Sequence, residues 1–170
     1  MSWVSSLTAV VVLLSGCTQA YRPPEPPPTP DLTPVVHATG LPGVTIGAHR
    51  GELARHLDQH RPGCNTPLLS HPQGSLVFTE DDRLVLVWFE APLRTPGGVK
   101  TGTPLKEVKK IHPEAVDLVA PAGSHRFDGL LVASGEHGYL FLHDGQTVRK
   151  AIAGYTDYLH RLFHTGFGVC

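Results

Sequence analysis

One short pattern is written twice in this chain, and it restricts the fold more than any other feature. Gly43–Leu53 (GVTIGAHRGEL) lies over Gly98–Val108 (GVKTGTPLKEV) without a gap, with both glycines, the first valine and the glutamate coinciding. In each copy a short extended piece turns at the second glycine into a predicted helix. Thr103 suits the N-cap, where its hydroxyl would satisfy a free backbone N–H, and Pro104 suits the first helical residue because its φ is already set. The helices are expected over His49–His60 and Pro104–Ile111, the second ending where His112 precedes Pro113. Leu53 and Leu57 stand one turn apart and would face a core.

Strand-like sequence follows each helix. Ser75–Thr79 and Leu84–Ala91 flank the turn residues Glu80, Asp81 and Asp82, which predicts a hairpin. Phe127–Ala133, Gly138–His143 and Thr147–Ile152 are separated by Ser134-Gly135-Glu136 and Asp144-Gly145, which predicts a three-stranded antiparallel meander. A closing helix over Tyr155–Phe163 would bury Tyr155, Leu159 and Leu162. The expected fold class is α+β: two tandem helix-plus-antiparallel-sheet repeats, about 41–92 and 96–153, packed in two layers, with a C-terminal segment 154–170.

The Gly-Val-x-x-Gly-x-x-x-x-Glu-apolar opening followed by antiparallel strands resembles the helix-and-sheet repeats of β-lactamase inhibitory protein and of the small outer-membrane lipoproteins of the barrel-assembly machinery. Arg94–Pro113 (RTPGGVKTGTPLKEVKKIHP) is similar to a stretch in actinobacterial lipoproteins, where such a repeat precedes a C-terminal cysteine. The resemblance covers about 43–170. It implies a fold and a protein-binding precedent, and it transfers no catalytic residue.

Upstream, Val4–Leu14 offers about ten mostly apolar residues, half of what crosses roughly 30 Å of hydrocarbon. The run ends in Leu14-Ser15-Gly16-Cys17, the pattern of a bacterial lipoprotein signal peptide at the cysteine that becomes lipidated. No Lys or Arg precedes Val4, a departure from the usual positive start of such leaders. The expectation is a leader over 1–16, cleavage before Cys17, and a membrane partner reached through acyl chains, with palmitate among them. The protein would then sit outside the cytoplasm, held to the cell membrane or outer surface. Tyr21–Pro34 (YRPPEPPPTPDLTP) favours an extended polyproline II rod, because proline lacks the backbone donor and fixes its own φ. The stalk is expected over 17–40 and the globular domain over 41–170. In an oxidising exterior, Cys64 and Cys170 are the pair for a disulfide. Its loop of roughly a hundred residues is worth about 4 to 5 kcal/mol in the chain-entropy account.

The net charge of −1 and the lack of a long basic stripe exclude the electrostatic footprint of a nucleic-acid binder. Lys106, Lys109 and Lys110 read as a solvated helix face. Histidine is abundant, with 11 residues. His56 with His60, and His160 with His164, are spaced to share a helix face and chelate zinc, although a third ligand is missing. That pairing is the weaker alternative; the primary expectation is no cofactor. Ser124 beside His125 and Ser134 near His137 lack nucleophile-elbow context, and Asp81 with Asp82 are turn residues. Leu84–Phe89 is apolar on both faces, as an inner strand would be. Tyr139, Phe141 and His143 alternate with Leu140 and Leu142, so with Trp88 they are the candidate binding residues if the leucines meet the helices; the same face would be core if another element covers it. The chain is thus expected to be a non-catalytic surface lipoprotein that binds an envelope or extracellular protein, or another ligand. A metal-binding lipoprotein and an envelope hydrolase are the alternatives.

Overall fold

The computed structural model describes residues 33–58, 65–68, 73–124 and 126–166. The leader, Cys17, the proline-rich stretch, His60, Cys64, His125 and Cys170 lie outside the described residues. The domain is a mixed α+β fold. A small hairpin, β1 (Gly40–Leu41) with β2 (Val44–Thr45), precedes a 3-10 helix over Arg50–His56. Then come β3 (Asn65–Pro67), β4 (Gly74–Phe78), β5 (Leu84–Phe89), α1 (Leu105–Ile111), β6 (Val116–Leu118), β7 (Asp128–Ser134), β8 (His137–His143), β9 (Val148–Tyr155) and α2 (Thr156–Thr165). Strands β3 to β9 form one sheet of order β3-β4-β5-β9-β8-β7-β6, antiparallel throughout.

The predicted hairpin and meander are present, and β5 has the inner position expected of it, between β4 and β9. The turns follow local chemistry. Asp82 adopts a φ of 55°, and its N–H donates to the Thr79 carbonyl at 3.0 Å. Asp144 Oδ1 accepts the N–H groups of Gln146 (2.9 Å) and Thr147 (2.8 Å), the side-chain turn that aspartate favours. Those donors hold the Asp144 carboxyl below the usual carboxylate range.

The first helix is shorter and tighter than expected. His49 caps it, its Nδ1 accepting from Gly51 N–H while Glu52 accepts from His49 N–H. Leu57 is already extended and bridges to Leu68, so it reaches the core as a strand-like residue rather than from a helix. In α1 the cap is Pro104, with no side-chain bond; Thr103 Oγ1 instead accepts from Lys100 N–H at 3.0 Å, closing the turn before it. In α2 the buried residues are Leu159, Leu162 and Phe163, whereas Tyr155 stays half-exposed.

Core side chains cover both faces of the sheet. On one face Leu76, Phe78, Val87, Phe89, Leu130, Val132, Tyr139 and Phe141 pack with Leu53 and Leu57, with Val108 of α1, and with Val36 and Val44. On the other face Val77, Val85, Leu86, Leu131, Leu140 and Ile152 pack with α2. The leucines of β8 therefore meet α2 and its aromatics meet the opposite layer. Val36 is fully buried, donates its N–H to the Arg94 carbonyl at 2.8 Å, and accepts the Tyr139 hydroxyl at 3.1 Å. Residues 36–40, inside the stalk expected over 17–40, are thus part of the folded structure.

The two sequence copies make the same backbone bonds. Gly47 N–H donates to the Leu84 carbonyl at 2.8 Å and Ala48 accepts from Leu84 at 3.0 Å; Gly102 donates to Val148 at 2.8 Å and Thr103 accepts from Val148 at 2.9 Å. Arg50 N–H reaches Asp82 and Leu105 N–H reaches Gln146, each at 2.8 Å. Gly47 and Gly102 share a φ of 88°, a backbone conformation that residues with a Cβ rarely adopt.

Two outcomes test this framework. Gly154 has a φ of 149°, and a Cβ there would stand 2.2 Å from the Val85 carbonyl oxygen. Gly154→Ala should cost about 3 kcal/mol or more in chemical denaturation, through strain and clash together. Burial pushes the Tyr139 phenol up to about 12 from 10.0, against the opposing Ala38 backbone bond. The folded chain thus holds this proton more tightly than the unfolded one, so its contribution is complete below about pH 10 and is lost as pH rises through about 12. The loss should total about 3 kcal/mol. Tyr139→Phe should flatten that alkaline limb and cost about 1 kcal/mol at neutral pH.

Candidate functional site

Of the four expected binding residues, three are interior. Tyr139, Phe141 and His143 are 9%, 0% and 6% exposed, so the sheet face they share is core and not a docking surface. The reason is the covering layer. His112, at the end of α1, stacks on Phe141 with ring centroids 6.1 Å apart, and Val36 and Val108 close over the rest. His143 Nδ1 accepts Gly145 N–H at 3.2 Å, and its Nε2 has no hydrogen-bond partner among the described residues.

Trp88 is different. Strand alternation sends Val87 and Phe89 to the covered face and Trp88 to the face that carries α2. That helix ends at Thr165, with Gly166 in a left-handed conformation at φ 69°, and beyond its end the sheet surface formed by Trp88, Leu142 and Lys150 opens into a cleft of about 380 Å³. Trp88 is half-buried and forms the floor. Leu162 and Phe163 of α2 form one wall, and Arg126 and Phe127, which lead into β7, form another.

The walls are held by identifiable contacts. Gly129 lets Phe163 seat on the sheet, since a Cβ there would stand 2.8 Å from Phe163 Cε2. The Arg126 guanidinium lies 5.7 Å from the Phe163 ring centroid and donates to the Leu162 carbonyl at 3.3 Å and to the Phe163 carbonyl. Both carbonyls belong to the last turn of the helix, where the Leu162 carbonyl also accepts the Gly166 N–H at 3.2 Å and a cation complements the helix dipole. Lys150 Nζ stands 5.4 Å from the Trp88 ring centroid. Among the described residues, two cations and four apolar or aromatic side chains thus surround Trp88, and none that lines the cleft is a carboxylate. The only signal in the sequence was Trp88 itself; Arg126, Phe127, Lys150 and Phe163 come from three separate elements.

A second open region flanks Tyr155 and Tyr158, with about 710 Å³ on the side of Glu136, Asp157 and His160 and about 420 Å³ on the side of Gly47, Asp81 and Arg83. His137 stacks on Tyr155 at 4.8 Å and the Arg161 guanidinium covers Tyr158 at 4.8 Å, so both ring faces are partly occupied from within the chain.

The histidine pairs are placed as follows. His56 closes the 3-10 helix, where its Nε2 accepts from Arg55 Nε at 3.0 Å, and His60 lies outside the described residues. His160 and His164 stack on the exposed side of α2 with ring centroids 6.0 Å apart and planes at 10°. Among the described residues no three His, Cys, Asp or Glu side chains converge on a point that would hold a metal ion. Glu114 is an exposed carboxylate whose pKa is held below the usual carboxylate range chiefly by a backbone N–H and further by His112, both of which favour its ionised form.

No family model, curated protein or solved structure matches this chain. An interior role for His143 has a measurable consequence. In the first hairpin Phe78 pairs with Leu84 as His143 pairs with Val148 in the last, and Phe78 is fully buried. His143→Phe should therefore raise stability in thermal or chemical denaturation, by about 1 kcal/mol, by removing a buried nitrogen that lacks a partner.

Proposed function

We propose that this chain is a lipid-anchored, extracytoplasmic binding module without catalytic activity, and that it takes its ligand in the Trp88 cleft. Lipid on Cys17 would fasten it to the membrane and the proline-rich segment would hold the domain away from the bilayer. A Cys64–Cys170 disulfide would tie the C-terminus to the first half of the domain. The observation that carries the binding role is the cleft at the end of α2, whose described lining is an aromatic floor with two cations and no carboxylate. Its volume lies within the range of small-ligand sites, and apolar walls with a few polar groups are the usual composition of such sites.

We also propose that the domain is a duplication of one helix-and-sheet unit. Supporting it are the matched bonds of Gly47 and Gly102, the matched burial of Leu53 and Val108, and register shifts at the same place in both hairpins, at Val77/Phe78 and Leu142/His143. The likeness to the repeats of β-lactamase inhibitory protein and to actinobacterial lipoproteins belongs to this proposal. The metal-binding alternative has the parallel rings of His160 and His164 in its favour, but two imidazoles leave a zinc site short of ligands.

The test joins anchoring to binding. Grown with an alkyne palmitate analogue, cells should label the chain and retain it in the membrane fraction, while Cys17→Ala should remain unlabelled. The wild-type protein should retain an envelope-derived ligand through purification, and Trp88→Ala, folded by circular dichroism, should lose it. Label on the Cys17→Ala chain would remove the anchor, and equal ligand recovery from both proteins would remove the cleft.

A further inference from the structure

We infer that His160 and His164 on α2 form a binding site for divalent copper, held by two imidazoles and completed by water. The two stand one turn apart on the exposed side of the helix, with ring centroids 6.0 Å apart, whereas Leu162 and Phe163, which wall the Trp88 cleft, are buried. Other histidines engage a ring nitrogen within the chain. His49 caps the 3-10 helix, His56 accepts from Arg55, His112 meets Glu114 and His143 accepts from Gly145. His160 and His164 make ring contacts alone, with each other and, for His164, edge-on to Phe163 at 5.3 Å. Among the described residues their ring nitrogens have no hydrogen-bond partner.

Coordination chemistry decides which ion fits. Among the described residues no third His, Cys, Asp or Glu converges on the pair, so a tetrahedral zinc site would lack half its donors. Copper(II) favours a square-planar or tetragonal set of nitrogen and oxygen donors and heads the affinity order of its row, so two ring nitrogens with water in the remaining positions suffice. Both rings are exposed, and rotation about χ2 brings a nitrogen of each toward a common ion. The surrounding charge favours a cation. His164 is in the last turn of α2, where positive charge complements the helix dipole. Glu136 and Asp157 border the open region next to His160, while the Arg161 guanidinium is drawn onto the Tyr158 ring at 4.8 Å. A chelate joining residues 160 and 164 would clasp the turn whose Leu162 and Phe163 carbonyls Arg126 already holds.

The experiment titrates copper(II) chloride into the full, isotope-labelled chain and follows backbone amide resonances, which a bound copper ion broadens locally. Signals from residues 160–165 should be lost first, with a dissociation constant tighter than about 100 µM and zinc bound about tenfold more weakly or worse. His160→Gln and His164→Gln, both exposed positions whose variants should fold by circular dichroism, should each weaken copper binding about tenfold or more, because a single imidazole forms no chelate. His56→Gln should leave it unchanged. Copper should also raise the thermal midpoint of the wild-type chain and of neither α2 variant. Broadening centred elsewhere, or unaltered in both α2 variants, would overturn the site. Zinc held as tightly as copper would overturn it too, since that requires further donors. Binding weaker than the stated limit would mean adventitious contact with exposed histidines only, and the inference fails.

Discussion

The antiparallel ladder between β5 and β9 is the contact on which the rest of the domain depends. Leu86, Val87, Trp88 and Phe89 pair with Gly154, Ala153, Ile152 and Ala151, and this is where β3, β4 and β5 join the four strands of the second half. Without it there would be two smaller sheets, each with an open edge of unpaired backbone groups. The small residues on β9 make the close approach possible. Gly154 fits against the Val85 carbonyl, and Ala151 and Ala153 leave room for Val87 and Phe89 in the shared core. One sheet then buries two sets of side chains, and each face gains from the other's rigidity.

Much of this was legible in the sequence, and the gaps have physical causes. The hairpin from β4 to β5 and the β7–β8–β9 meander follow from alternation and turn residues, because those signals are local. The 3-10 helix was expected as a longer α-helix because Leu53 and Leu57 look like a helical pair. Leu57 reaches the core through a bridge to Leu68, a contact that helical spacing does not encode. Strands β1, β2, β3 and β6 are two or three residues long, too short to show a period.

The site was harder to see than the fold. Tyr139 and Phe141 look like surface aromatics when β8 is considered alone, since alternation assigns faces but says nothing about what covers them. Val36 and α1 cover them, and that depends on a segment that the prolines had marked as stalk. Arg126 gave no signal because its role exists only where α2 ends, far along the chain. Trp88 was identifiable as a large aromatic in an inner strand, while its neighbours in the cleft are set by tertiary structure.

Helix α2 is what turns a regular sheet into a surface with a cleft. If the domain is a duplication, the last ladder places Trp88 opposite Ile152, two positions that correspond in the two halves. Their surroundings differ completely, as Ile152 is fully buried under α2 and Trp88 is left half-open beside the helix terminus. A sheet built from two similar halves presents similar side-chain rows from each, and its two halves would then offer equivalent surfaces. The single C-terminal helix removes that equivalence by covering one row and stopping short of the other. Arg126 holds the last turn of α2 through the Leu162 and Phe163 carbonyls, so the same contact that secures the end of the helix borders the cleft beside Trp88.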